Sequence, residues 1–495
     1  MMKQGGQIRY DKKIVANILL VMLLLSITLA VTFFISKSND NFGYFILMGI
    51  IALAFTIFCM LVPILGFYFT ICTSVFFADV ERLLNVDLPL GTFIDFLVFL
   101  TFFGILLKKL FARESFWKNC NHPIIYAYIA IIIYSIVEIF NPNAESREIS
   151  FLILRRFFAI LVFLYCSIQL FNDAGSIYRF FKVWIALGLI VAAYGCYQEW
   201  VGYPGYEMRY IFSDPHLMDL YSLDNGNYRK FSFLSDPTSF GILMSATALI
   251  NVIFILMMKQ KVQRIILLIA YTILMLLAMS YSGTRTAYFS FAMSIVLYIL
   301  MTLNNFKTLV FTCFAIISFV LLIFGPFYGN QTLNRVRTTF HFSKDASLQV
   351  RDKNRQRIQP YLHSHPLGGG LGSTGLGTTS GESNKQANLS AHPLAGFPTD
   401  SGFLRMGLEY GWIGLIIQCC IFFIVLQQGV HAYYNSVYPQ HRVLLLAAIV
   451  ALFSYILAHY AQVAIGPLPG AFLFYPLIGI IIRLRQIELS PNFQK

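Results

Sequence analysis

Long apolar runs separated by short polar turns dominate the chain. Runs of about 17 to 25 residues match a helix crossing a bilayer core. They recur near residues 14–36, 43–61, 62–78, 90–107, 123–140, 150–171, 181–200, 238–258, 264–281, 286–303, 307–325, 401–427, 442–460 and 468–484. The pattern predicts an all-α polytopic integral membrane protein with about 12 to 14 transmembrane helices. Almost no turn separates the two runs at Pro63, so one of them could instead be interfacial or re-entrant. One polar, glycine-rich stretch breaks the pattern and divides the chain into three parts: transmembrane helices 1 to 11 in 1–325, a large extracytoplasmic loop with short helices in 326–400, and C-terminal spans in 401–495.

Charge orients this pattern. Cytoplasmic loops of membrane proteins are rich in Lys and Arg. Starting inside and alternating, the cytoplasm receives Lys108, Lys109, Arg113 and Lys118, then Arg179 with Lys182, Lys259 to Arg264, Lys307, Arg442, and Arg483 with Arg485. Fusing the runs at Pro63 would put every later basic loop outside, so parity favours two spans there. Residues 141–148, 201–237, 282–285 and 326–400 then face out. The last of these holds a positive excess, which asks for an anionic partner. With 57% hydrophobic and 12% charged residues, a soluble protein is excluded. The net charge of +13 is therefore read as topology and not as a nucleic-acid surface. The eight cysteines lie in or beside apolar runs, so neither a disulfide framework nor a zinc site is implied. Lys3, Arg9, Lys12 and Lys13 precede a first run too long for a signal-peptide core, which reads as a retained span.

Ionisable residues inside spans are costly and are usually paired or functional. Asp95, Glu138, Arg155, Arg156, Glu199, Asp236, Arg285, Arg405, Glu409 and His459 all fall toward the outer side. A transporter that alternates access is expected to hold its charges near the midplane between repeated halves. No internal repeat is visible, and the pattern favours a site that opens outward.

Several motifs carry chemistry. Ser282-Gly283-Thr284-Arg285 joins two spans with almost no loop, so Arg285 lies at the outer interface. It either anchors a helix end by snorkelling or binds a phosphate with its planar fork. Arg155 and Arg156 point about 100° apart on a helix; one can pair with Glu138 or Glu199, leaving the other for a ligand. Residues 345–359 read as a short helix on which Arg351 and Arg355 share a face, with Leu348, Ile358 and Leu362 on another. That face is either solvated or an anion clamp above Arg285. Gly370, Gly372 and Gly375 form a G-x-G-x-x-G pattern without the strand and helix that a dinucleotide site needs. These glycines more simply allow close backbone approach or flexibility. Aromatic residues from Trp200 to Phe233 read as an interfacial belt or a carbohydrate track. His363, His365 and His392 lack the partners of a metal motif, so no metal and no cofactor is expected.

Ser282-Gly283-Thr284-Arg285, Arg351, Pro366-Leu367-Gly368-Gly369-Gly370 and Asp400-Ser401 with Gly411 and Gly414 together resemble the O-antigen ligase and polymerase superfamily of bacterial membrane glycosyltransferases. The resemblance covers roughly residues 155–414 and the many-span layout with one large outer loop. It implies a GT-C-like fold in the bacterial inner membrane and a donor glycan linked to a polyprenyl diphosphate. It also implies metal-independent transfer with inversion on the periplasmic face. Residues like Arg285 and Arg351 would hold the diphosphate, which is also the leaving group. In the ligases a histidine stands eleven residues before the first of the two glycines; here that place is Asp400. Asp400 could accept the acceptor hydroxyl's proton or merely cap the helix beginning near Ser401. His392, His365 and His363 are alternative bases.

The reading from sequence is a glycosyltransferase that polymerises polyprenyl-diphosphate-linked repeat units, with Arg285, Arg351, Arg155, Arg156 and Arg355 as diphosphate ligands. Its partners would be the donor, a glycan acceptor, membrane lipid and a chain-length regulator. The rivals are an O-antigen ligase or protein O-oligosaccharyltransferase and, from another class, a flippase of lipid-linked sugars.

Overall fold

The computed structural model describes residues 40–85, 90–144, 147–223, 226–326, 331–340, 346–374, 394, 397 and 401–489. The described residues are helices joined by turns, with one isolated bridge between Ser222 and Tyr228. The chain divides after Pro63 into two units. In the first, Asp40–Leu61 is helical (α1).

The second unit is built from Pro63–Leu84 (α2), Leu90–Ala112 (α3), Pro123–Glu138 (α4), Arg147–Leu170 (α5), Ala174–Trp200 (α6), Gly205–Ile211 (α7), Pro215–Tyr221 (α8), Pro237–Met257 (α9), Val262–Tyr281 (α10), Arg285–Met301 (α11), Phe306–Phe324 (α12), Gln331–Thr339 (α13), Ala346–Ser364 (α14), Gly402–Asn435 (α15), Pro439–Ala461 (α16) and Gly470–Leu489 (α17). Among the described residues nine helices are long and apolar enough to cross a membrane, which makes the chain an all-α polytopic membrane protein. The expected span at 14–36 lies outside the described residues. At Pro63 the sequence runs into two helices of 22 residues each, with Val62 between them.

Lipid is as apolar as a leucine face, so hydrophobicity alone cannot decide which helices sit inside a bundle; small and polar contacts do. Helices α9, α16 and α17 are 78%, 83% and 89% buried over their apolar windows, against 6% for α12. Helix α9 carries polar contacts to three neighbours. Ser245 of α9 meets Ser454 of α16 at 3.2 Å, the Trp184 indole N–H of α6 donates to Thr247 at 3.2 Å, and the Asn251 amide donates to Thr272 of α10 at 3.2 Å. Each of these contacts lies inside the protein and spares the groups that make it from facing hydrocarbon, while the Asn251 side-chain oxygen is buried without a hydrogen-bond partner among the described residues.

The two ends of the bundle separate as alternation predicts. Loops expected outside touch one another: Asn141 and Asn143 donate to carbonyls of Leu367 and Gly368, the Lys230 amide to Tyr281, and Arg335 to Gly283. Loops expected inside do the same, with Arg483 donating to the Phe171 carbonyl and Gln486 to that of Asn119. The end that carries the 326–400 segment is called the outer end below.

Candidate active site

Three guanidinium groups gather on the tight turn between α10 and α11. Arg285 opens α11 directly after Thr284. Arg229, from the loop before α9, donates through Nε to the Ser282 carbonyl at 3.1 Å and through Nη2 to the Thr284 hydroxyl at 3.0 Å. Arg335, from α13, donates through Nε to the Gly283 carbonyl at 2.9 Å. All three lie within electrostatic reach of Tyr288, one turn into α11. Asp236 is the carboxylate close to Arg229, but it caps α9, accepting from the Thr238 and Ser239 amides at 2.8 Å and from two serine hydroxyls. Burial, with Arg335 beside it, pushes Arg229 down to about 10. Among the described residues, three like charges are held around one turn near one capped carboxylate, an arrangement of the kind that suits an anion.

A second cation group lies where α5 meets α3. Arg155 pairs with Asp95 at 3.3 Å and donates to the Thr92 hydroxyl at 3.3 Å. Sequence offered Glu138 or Glu199 as its partner, but Glu138 accepts from Asn141 at 2.7 Å and Glu199 pairs with Lys230 at 3.4 Å. Asp95 wins because α3 packs along α5. Arg156 is within electrostatic reach of Asp95, Arg405 and Arg155. Arg405 in turn donates to Glu409 at 2.9 Å, and Glu409 also accepts from the Thr374 hydroxyl.

The glycine-rich segment is neither a nucleotide cradle nor slack chain where it is described. Helix α15 breaks at Gly411, whose φ of 65° and ψ of −166° are closed to other residues. Into that break fits the chain from Pro366 to Gly369: the Trp412 amide donates to the Pro366 carbonyl at 3.0 Å, and the Gly369 amide to that of Leu408 at 2.7 Å. A Cβ on Gly368 would meet the Gly411 nitrogen at 2.5 Å, and one on Gly411 would meet the Pro366 oxygen at 2.2 Å. Two backbones cross at glycines, and the crossing anchors the outer loop to α15.

Helix α14 extends from Ala346 to Ser364, longer than the 345–359 expected, with Pro360 inside it. Ile358 and Leu362 pack toward Leu408 of α15, as the apolar face suggested. Arg355 reaches across to Tyr460 at the outer end of α16, donating to its hydroxyl at 3.2 Å and sitting 4.9 Å over its ring. Of the two readings of this face, solvated or an anion clamp, Arg355 is directed to neither alone: it is held by α16. His365 stacks on Tyr361 at 4.1 Å, and its Nδ1 meets the Ser364 hydroxyl at 2.9 Å. His363 is exposed, 6.2 Å from the Trp412 ring. Arg351 belongs to α14, but its side chain lies outside the described residues. Asp400 and His392 lie outside them altogether. Among the described residues no group of three His, Cys, Asp or Glu comes together to hold a metal ion.

Sequence reasoning missed Arg229 and Arg405 as site residues, placed Arg335 only as loop charge, and gave His459 no role. Their distance along the chain from Arg285 and Arg156 hides them.

The aromatic loop resolves differently from either reading. Tyr221, Phe231 and Ile211 are fully buried and make a small core with Tyr203, Met208, Tyr210, Leu217 and Tyr228. Only rim members such as Trp200 and Phe212 are exposed. Under this core Glu207 is fully buried, its two oxygens accepting from the Gln198 amide at 3.0 and 2.9 Å and one from the Tyr194 hydroxyl at 3.1 Å. The Gln198 oxygen accepts from the amides of Phe231 and Ser232, two and three residues after Arg229. Burial pushes the Glu207 carboxyl up from 4.5 to about 7, although Arg82 nearby opposes this. A raised folded pKa means its stability contribution is full below about 4.5 and lost as pH rises through about 7. Glu207→Gln is uncharged at every pH. The melting temperature of the wild type in detergent, relative to that variant, is therefore expected to fall between about pH 5 and about pH 8. A constant difference would contradict the buried carboxyl.

Residues 270–419 match the family described as O-antigen ligase. The match supports the O-antigen ligase and polymerase superfamily. No curated protein matches the chain. The O-antigen ligase segment runs from within α10 to within α15, and so contains Arg285, Arg335, Arg355, Arg405 and the Gly411 crossing. Arg229, Arg156 and His459 approach it from outside. Together with the apolar helices, the family supports a membrane glycan-processing enzyme of multi-pass type.

Proposed function

We propose that the chain transfers a glycan from a polyprenyl diphosphate to an acceptor sugar at the outer face of a bacterial inner membrane, lengthening the glycan. The observation that carries this reading is the three-arginine turn at Ser282–Arg285 inside the O-antigen ligase segment. In the transfer the acceptor hydroxyl oxygen forms a bond to the anomeric carbon while the bond from that carbon to the diphosphate breaks. One displacement inverts the anomeric centre. Negative charge grows on the departing diphosphate, and guanidinium groups held in place beside it would stabilise that charge without a rearrangement at the moment of reaction. Arg285, with Arg351 from the outer loop, is assigned to the diphosphate, and the Arg155–Arg156–Arg405 group to the same anionic donor or its approach. Metal-independent transfer follows from guanidinium groups supplying this charge. The proton of the acceptor hydroxyl passes to Asp400, with His392, His365 or His363 as alternatives.

Ligation to a lipid A core or to protein is the second reading, favoured by the description of the matched family. Aspartate at position 400, where the ligases have histidine, favours polymerisation. Purified protein supplied with polyprenyl-diphosphate oligosaccharide in chelator is expected to give a ladder of longer glycans and free polyprenyl diphosphate. A single addition to a lipid A core acceptor with no ladder would select ligation. Movement of intact lipid across a liposome without a new glycosidic bond would overturn both.

A further inference from the structure

Gln198 is a fully buried amide near the outer end of α6, and both of its ends are engaged. Its nitrogen donates to the two Glu207 oxygens at 3.0 and 2.9 Å, and its oxygen accepts from the amides of Phe231 at 3.3 Å and Ser232 at 2.8 Å. Reversing the amide would set oxygen against carboxylate and nitrogen against two N–H donors, so the partners fix which end is which. Ser232 needs this hold. Its φ of 54° lies in the left-handed region, where a non-glycine residue stays only when its surroundings over-determine it. Besides the Gln198 oxygen, the Val191 carbonyl of α6 accepts from the Ser232 hydroxyl at 2.7 Å, and Arg82 of α2 donates to the Ser232 carbonyl at 3.3 Å. From Ser232 back to Arg229 the chain is tied down at each residue. The Lys230 amide donates to the Tyr281 carbonyl at 3.1 Å, the Arg229 amide to the Tyr221 carbonyl at 2.8 Å, and the Tyr203 hydroxyl to the Arg229 carbonyl at 2.6 Å. The Arg229 guanidinium then bonds to Ser282 and Thr284, directly before Arg285.

Resting on the transfer reading above, we propose that Gln198 is a positioning residue for the diphosphate turn: its two-ended amide sets residues 229–232 against α6, and Arg229 passes that setting to Ser282 and Thr284. Each step of the path is a hydrogen bond or a short run of chain. Glutamine donates at one end and accepts at the other without carrying charge. An apolar side chain of the same length would leave the Glu207 oxygens and two buried amides short of partners, and the 229–232 segment free to leave its strained conformation. Gln198 itself lies outside the matched segment.

Two variants test this. Gln198→Met removes both hydrogen-bonding ends at similar length. The exchanged pair Gln198→Glu with Glu207→Gln restores them: the new carboxylate accepts from the 231–232 amides and from the amide now at position 207, and the net charge is unchanged. The measurement is binding of polyprenyl diphosphate and polyprenyl monophosphate to folded, full-length protein in nanodiscs. Wild type is expected to prefer the diphosphate about tenfold. Gln198→Met should lose about tenfold in diphosphate affinity and keep its monophosphate affinity within about threefold, a selective loss that general loosening of the fold would not give. The exchanged pair should bind as wild type does. Arg229→Ala should also lose about tenfold, and adding Gln198→Met to it should lose no more, because the path is already cut. An undiminished preference in Gln198→Met, or losses that multiply to about 100-fold in the double variant, would overturn the proposal. Should Gln198→Met fail to fold, the exchanged pair decides: wild-type preference supports the proposal, and a folded protein without it overturns the proposal. Equal affinities in the wild type would sink the diphosphate reading, and this proposal with it.

Discussion

Arg285→Ala is expected to lower glycan transfer by about 100- to 1,000-fold, the usual cost of removing one fixed donor from a developing oxyanion. The protein should insert and fold normally, because Arg285 opens α11 at the outer end and the turn beneath it is held by others. Arg229 bonds to Ser282 and Thr284, Arg335 to Gly283, and the Thr284 hydroxyl donates to the Pro237 carbonyl at 3.0 Å. Arg285→Lys keeps the charge and loses the planar fork, so it should recover only part of the rate. The comparison is read as kcat with donor in excess, alongside the amount of folded protein in the membrane fraction. Full activity in Arg285→Ala would remove the diphosphate role from this turn.

The largest structural effect is expected at Gly411. Alanine there would need a backbone conformation reserved to glycine, and its Cβ would stand 2.2 Å from the Pro366 oxygen and 2.5 Å from the Leu367 carbonyl carbon. Both obstacles are backbone atoms, so no side-chain rotation relieves them. Gly411→Ala is expected to cost about 3 kcal/mol or more, read as a large fall in melting temperature and as new protease cleavage near residues 366–370. Gly205→Ala is the control, since nothing lies within 4 Å of a Cβ there. Equal melting temperatures for Gly411→Ala and the control would contradict the crossing.

These two positions also show what could be read in the sequence. Runs such as 238–258 and 442–460 fall within a residue or a few of α9 and α16, because length and hydropathy alone fix a spanning helix. Arg285 stood out because its loop is too short to hide it. Arg335 and Arg229 did not, since they reach the same turn from separate elements 52 and 53 residues away. His459 was read only as one of the ionisable residues toward the outer side, because its closeness to Gly402 and its two amide partners are set by packing that no pattern announces. The aromatics from Trp200 to Phe233 misled for a related reason. An interfacial belt and a small buried core have the same composition, and only packing separates exposed Trp200 from buried Phe231. In the glycine-rich segment, the letters mark close approach without saying what approaches; the partner is the broken turn of α15.

The Ser282–Arg285 turn is assigned to recognition of a diphosphate. Its most direct measurement is the binding of polyprenyl diphosphate and polyprenyl monophosphate to purified wild type and Arg285→Ala in nanodiscs. Wild type should bind the diphosphate about tenfold or more tightly than the monophosphate, a difference of roughly 1.4 kcal/mol, and Arg285→Ala should lose that preference. Equal affinities in the wild type, or an undiminished preference in Arg285→Ala, would contradict the account.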